Sequence, residues 1–214
     1  MLMAALGGCM ERYTTEGLMR LLDIDPSRIV GIDLETTGLD PAKDEILEVG
    51  IVDGNGEVLF DHRVRPHAVL SWPYAERLTG ISRADVAGEP SIGDFRGCIE
   101  DVLSRAELLV GYNLAFDMRF LRAADVAVPN APCYDVMREF AAVAQRRDRR
   151  GRLCWQKLGA CARHYGVTFE PHGAVSDIRA TMECFRKMLH DDGSRYTAPG
   201  TVPYLRVVHR RCTR

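Results

Sequence analysis

Residues 29–35 read Ile-Val-Gly-Ile-Asp-Leu-Glu (IVGIDLE), and the rest of the chain takes its meaning from this stretch. Its β-branched residues favour an extended strand, in which side chains two apart share a face. Asp33 and Glu35 therefore leave the same side near the strand's end. Two neighbouring carboxylates repel, and in so apolar a segment the repulsion is costly. Either a hard divalent cation with oxygen ligands lies between them, or the strand end frays into water, where two acids cost little.

Moving outward, 46–53 (ILEVGIVD) and 57–65 (EVLFDHRVR) read as two more strands, with turn signals at Gly38-Leu39-Asp40-Pro41 and Gly54-Asn55-Gly56. Short turns between successive strands predict antiparallel hairpins. Beyond Pro66 the pattern is irregular until a helix over 91–105, opened by a capping box at Ser91 and Asp94, with Ile92, Phe95, Ile99, Val102 and Leu103 on one face. Leu108 to Tyr112 is a short apolar strand leading into a helix over 114–124, and Cys133 to Met137 is a further short strand. Trp155, Leu158, Cys161, Ala162 and Tyr165 mark a helix ended by Gly166; Ile178, Met182, Phe185 and Leu189 mark the last long one. Hairpin strands followed by alternating strands and helices make an α/β fold.

The 214 residues are 46% apolar and 27% charged with a net charge of -2, which excludes disordered, collagen-like and membrane classes and suits one domain with tails. Seven scattered cysteines, with no C-x-x-C pair, argue against a zinc site or disulfide framework and for reduced thiols. The apolar first ten residues lack a basic flank and are too short to span a bilayer, so neither signal peptide nor anchor is expected and a cytoplasmic location is. The small net charge hides a gradient: -8 over residues 1–60, -3 over 61–137 and +9 over 138–214. That asymmetry either meets a polyanion or is interleaved and cancelled by the fold. Residues 145–152 (QRRDRRGR) form an exposed basic loop or helix end, and the stretch from 194 is a basic tail.

Two more clusters matter for chemistry. In GYNLAFDMRFL, Asn113 and Asp117 stand four apart and share a helical face if the helix begins near Asn113, itself a plausible N-cap. In PHGAVSD, His172 and Asp177 stand five apart, which separates them by about 140° on a regular helix, so His172 precedes the helix that Asp177 enters. Each cluster alone has an ordinary structural explanation: a cap, an exposed acid, a surface histidine.

Together, IDLETTGLD, GYNLAFDMRFL and HGAVSD resemble the three motifs of the DEDD exonucleases, in the subgroup with a catalytic histidine that includes the proofreading subunit of bacterial DNA polymerase III, RNase T and oligoribonuclease. RLTGIS at 77–82 is similar to the family's T-G-I segment, although some members have histidine where Thr79 stands. The likeness runs from about 28 to 190, leaving 1–27 as an N-terminal extension and 191–214 as a basic C-terminal tail. It implies a ribonuclease H-like fold, with a five-stranded mixed sheet flanked by helices, and two Mg²⁺ or Mn²⁺ ions held by Asp33, Glu35, Asp117 and Asp177. It also implies His172 as general base, the backbone of Thr36, Thr37 and Gly38 near the terminal nucleotide, Leu39 against its base, and Asn113 orienting its neighbours. The implied activity is metal-dependent 3′–5′ exonucleolytic hydrolysis at the 3′ end of single-stranded nucleic acid, with DNA favoured, releasing 5′-nucleoside monophosphates. The alternatives are an RNA 3′-exoribonuclease and an inactive nucleic-acid-binding module. A DNA polymerase is a further partner that a proofreading role implies; no membrane is involved, and oligomeric state is left open.

Overall fold

The computed structural model describes residue 21 and residues 23–195. Most of the expected N-terminal extension, and the C-terminal tail after residue 195, lie outside the described residues. Five strands form one sheet in the order β3-β2-β1-β4-β5: β1 (Ile29–Thr36), β2 (Ile46–Asp53), β3 (Val58–Arg63), β4 (Leu108–Gly111) and β5 (Cys133–Asp135). The first three are antiparallel, whereas β4 lies parallel to β1 and β5 parallel to β4, so the sheet is mixed, as expected.

Among the described residues, seven α-helices flank it: α1 (Pro73–Thr79), α2 (Arg83–Val86), α3 (Ile92–Leu103), α4 (Leu114–Ala123), α5 (Val136–Ala144), α6 (Leu158–Tyr165) and α7 (Ala174–Arg195). At the start of α3 the Asp94 carboxylate accepts from the backbone N–H and hydroxyl of Ser91, the predicted capping box. Three helices were not expected. The apolar run after Cys133 reads as strand, but Asp135 accepts from the N–H groups of Met137 and Arg138 and turns the chain helical at Val136. The short helices α1 and α2 lie in the segment that reads as irregular, and they bury Trp72, Ala75, Ile81 and Val86 against Leu47 of β2. Trp155 stays outside α6, which begins at Leu158.

Strand alternation divides the core in two. Val30, Ile32 and Leu34 of β1 face a cluster with Ile99, Leu103, Met118 and Leu121. On the other side, Ile178, Met182 and Phe185 of α7 pack with Val110, Tyr134 and Phe140. Gly31, Asp33 and Glu35 belong by alternation to this second face.

Two glycines set how closely α7 lies on the sheet. A methyl group at Gly31 would come within 2.9 Å of the Ile178 and Met182 side chains, and one at Gly50 within 2.6 Å of the Ala174 carbonyl carbon. Gly50 is the β2 partner of Asp33. Here glycine is required for backbone approach, and that approach brings the first turn of α7 over the acidic end of β1. None of the helices described is long and apolar enough to cross a membrane.

Gly50→Ala is therefore expected to lower stability by about 1–3 kcal/mol in urea unfolding, through overpacking against backbone that cannot move aside. Gly88→Ala, where an added methyl meets nothing within 4 Å, should change it by less than about 0.5 kcal/mol. Equal effects at the two positions would contradict this account of the sheet–helix contact.

Candidate active site

The central strand and the start of α7 bring acids together. Asp33, Glu35 and Asp177 each place a carboxylate oxygen within 4.8 Å of the others. Asp117 of α4 stands outside that trio. It is only 2% exposed, yet close enough that its charge acts on Asp33. All four acids singled out in the sequence thus converge.

The electrostatics of this arrangement are unfavourable as they stand. Burial, and then the negative charges of Asp117, Asp177, Glu35 and Glu48, push the Asp33 carboxyl well above its ordinary range. Glu35 is raised to about 7 by burial and by Asp177 and Glu48. Asp177 is raised to about 6, chiefly by burial, although the backbone N–H and charge of His172 oppose the shift. Burial likewise raises Asp117, against hydrogen bonds from its own N–H and that of Leu34. One oxygen, Asp117 Oδ2, is buried without a hydrogen-bond partner. An all-oxygen donor set with excess negative charge and an unsatisfied buried oxygen fits hard divalent cations.

His172 precedes α7, as the spacing requires, and its backbone is left-handed with φ 73°. The sequence places the freedom in its neighbours Pro171 and Gly173; the structure places the unusual conformation on the histidine itself. Its N–H donates to Asp177 Oδ1 at 3.2 Å, tying the loop to the acid. The exposed His172 lines an open cleft of about 1090 Å³ together with Asp177, Tyr112, Asn113, Trp155 and Leu78.

Asn113 departs from its expected part. It occupies the N-cap position of α4, but with φ 66° its side chain makes no capping bond, and it leaves the helical face of Asp117 for the cleft. Its backbone N–H donates to Asp135 Oδ1 at 3.1 Å. After β1, the Thr36 hydroxyl donates to the Gly38 carbonyl at 2.6 Å. The Thr37 hydroxyl donates to Asp44 and accepts from the Glu45 N–H, so both threonines spend their hydroxyls shaping the turn. Leu39 is 78% exposed at its tip.

Two acids escaped the sequence reading. Glu48 pairs in register with Glu35, and its Oε2 accepts from the Ala174 N–H at 2.9 Å, holding the first turn of α7 beside the cluster. An acid at the third position of the apolar run ILEVGIVD was its signal. Asp135 caps α5, anchors Asn113 and adds negative charge near Asp117. Its signal was masked by reading the following residues as strand.

Comparison with known proteins is consistent with this geometry. Residues 30–185 match the family model RNase T, described as exonuclease. The PolC-type DNA polymerase III of Thermotoga maritima is 30% identical over 171 residues, 75% of this chain and 12% of that protein. RNA exonuclease 4 of Mycosarcoma maydis is 27% identical over 166 residues, 76% of this chain and 42% of that protein. The chain thus spans less than half the length of either relative. The solved structure of exonuclease X in complex with 5′ overhanging duplex DNA superposes with a TM-score of 0.59 at 24% identity, over 77% of this chain and 93% of that one, a likeness of fold.

The raised carboxyls predict a pH dependence for the metal-free protein. A folded-state pKa above the unfolded value contributes stability that is full below about pH 4 and is lost as pH rises through the folded values, about 6 for Asp177 and about 7 for Glu35. Divalent cations favour the ionised acids and restore what is lost. The rise in Tm on adding Mn²⁺ should therefore be larger at about pH 8 than at about pH 5. An equal rise at both would contradict the assignment.

Proposed function

The chain belongs to the RNase T exonuclease family, and from that premise we propose that it hydrolyses phosphodiester bonds at the 3′ end of single-stranded nucleic acid, DNA before RNA, releasing 5′-nucleoside monophosphates. The observation that carries this reading is the convergence of Asp33, Glu35 and Asp177 beside Asp117, at a cleft that also holds His172.

Asp33, Glu35, Asp117 and Asp177 are the residues that would hold two Mg²⁺ or Mn²⁺ ions. When bound, such ions lower the pKa of a water and offset negative charge on the phosphate and the departing 3′ oxygen. His172 is the general base: its imidazole takes the proton of the attacking water. Its place in the loop beside Asp177 lets it reach the reacting water while the acids stay fixed on β1, α4 and α7. Glu48 is a positioning residue that keeps the start of α7 over β1.

The backbone of Thr36, Thr37 and Gly38 borders the terminal nucleotide, and exposed Leu39 offers its base an apolar surface. Asn113 lines the same cleft and orients its neighbours. PolC-type polymerase and DNA-bound exonuclease X favour DNA as substrate; the likeness to RNA exonuclease 4 supports RNA as the second reading. The two differ chemically by the 2′-hydroxyl, which a few side chains near the sugar distinguish.

The test is digestion of 5′-labelled single-stranded DNA, duplex DNA and RNA in Mg²⁺, Mn²⁺ or EDTA. Stepwise shortening from the 3′ end, faster for single-stranded DNA and abolished by EDTA, is expected. No metal-dependent release of mononucleotides would overturn the reading and leave a binding module. His172→Ala should lower kcat by about 10²- to 10⁴-fold while calorimetric Mn²⁺ affinity stays at the wild-type value; an unchanged rate would remove His172 from the mechanism.

A further inference from the structure

The arginine-rich run that the sequence singles out takes no part in the site described above, and it is a built element. Residues 145–154 fold back as a hairpin in which Arg147 pairs with Leu153, the Asp148 N–H donates to the Arg152 carbonyl at 2.8 Å, and the Cys154 N–H donates to the Arg146 carbonyl at 2.8 Å. Gly151 supplies the left-handed turn with φ 75°. The Asp148 carboxylate accepts from the backbone of Arg150 and Arg152 and from the Arg152 guanidinium, at 2.8, 3.0 and 2.8 Å.

The five arginines have different tasks. Arg147 donates to the Gly151 carbonyl and Arg152 to Asp148, so both brace the hairpin. Arg149 and Arg150, at the tip, are exposed, and their side chains make no ion pair among the described residues. The base of the hairpin is fixed to the cleft. The Tyr112 hydroxyl donates to the Gln156 carbonyl at 2.7 Å, and Arg146 donates to the Gln156 side chain at 3.3 Å. Next in sequence to the anchored Gln156, Trp155 stands in the cleft wall, 65% exposed, with Leu78, Lys157 and Arg163 lining the same cleft.

An uncovered indole beside cations, on a rigid base, matches an unpaired base followed by phosphates: bases stack on aromatic faces while arginines follow the backbone. A paired base has its faces occupied within the duplex and offers none to Trp155. We propose that residues 145–155 form a strand-binding arm in which Trp155 stacks on a base of the single strand leading into the site and Arg149 and Arg150 contact its phosphates. The arm rests on the proposed exonuclease activity for its substrate and for the direction in which the strand enters.

The test separates binding from hydrolysis. Tryptophan fluorescence is followed while an oligodeoxythymidylate of about 20 nucleotides, blocked at its 3′ end by a phosphorothioate linkage, is titrated in. Trp72 is 5% exposed, so quenching reports on Trp155, and Trp155→Ala should abolish it and raise Kd, read by anisotropy of a labelled strand, by about 5- to 100-fold. The double variant Arg149→Ser, Arg150→Ser should weaken binding and reduce the slope of log K against log salt by about 1.4. The Arg149→Ser, Arg150→Ser variant, whose positions do not line the cleft, should hydrolyse thymidine 5′-(p-nitrophenyl phosphate), which offers those arginines no further phosphate, at the wild-type rate. Wild-type Kd and salt slope in both variants would overturn the arm. Failure of the wild-type protein to hydrolyse the small diester would instead count against the exonuclease reading, with the binding measurements still deciding the arm.

Discussion

Mutual repulsion among carboxylates is the constraint around which this molecule is arranged. Asp33 is acted on by the charges of Asp117, Asp177, Glu35 and Glu48, in a setting where burial already disfavours ionisation. Left to itself, such a cluster would separate into water. The fold prevents this through apolar packing of α7 on the sheet and through close backbone contact at Gly31 and Gly50. Hydrophobic burial, which has no direction, supplies the force that holds directed charges together.

The same packing explains why the acids come from distant parts of the chain. A strand contributes two on one face, and a helix following β4 contributes Asp117 from beside it. A helix lying across β1 and β2 contributes Asp177 from above. Glu48 links strand to helix by accepting the Ala174 N–H, so the negative cluster also helps hold the helix start that completes it. Removing the Glu48 carboxylate exchanges a repulsive neighbour for a loosened α7.

Much of this was legible in the sequence because it depends on local periodicity. IVGIDLE placed Asp33 and Glu35 on one face, and a five-residue spacing that no regular helix accommodates on one face put His172 ahead of α7, where it lies. What the sequence concealed depends on partners remote in the chain or on a single capping bond. Asp135 converts an apparent strand into α5, and Asn113 looks like an ordinary N-cap until its backbone is seen tied to Asp135 with φ 66°. Glu48 shows its part only when register sets it opposite Glu35. The arginine run reads as an exposed basic loop or helix end, and only the bonds of Asp148 and Gln156 reveal a braced hairpin fixed to the cleft.

The central proposal is that the acidic cluster, held in place by the packing of α7 on the sheet, is a site for divalent cations. Anomalous diffraction from crystals soaked in Mn²⁺ tests it most directly. The account predicts manganese density touching the carboxylates of Asp33, Glu35, Asp117 and Asp177, with the Asp117 Oδ2 atom no longer unpartnered. Manganese absent from the cluster at saturating concentration, or the four acids turned away from one another toward solvent or basic side chains, would contradict it.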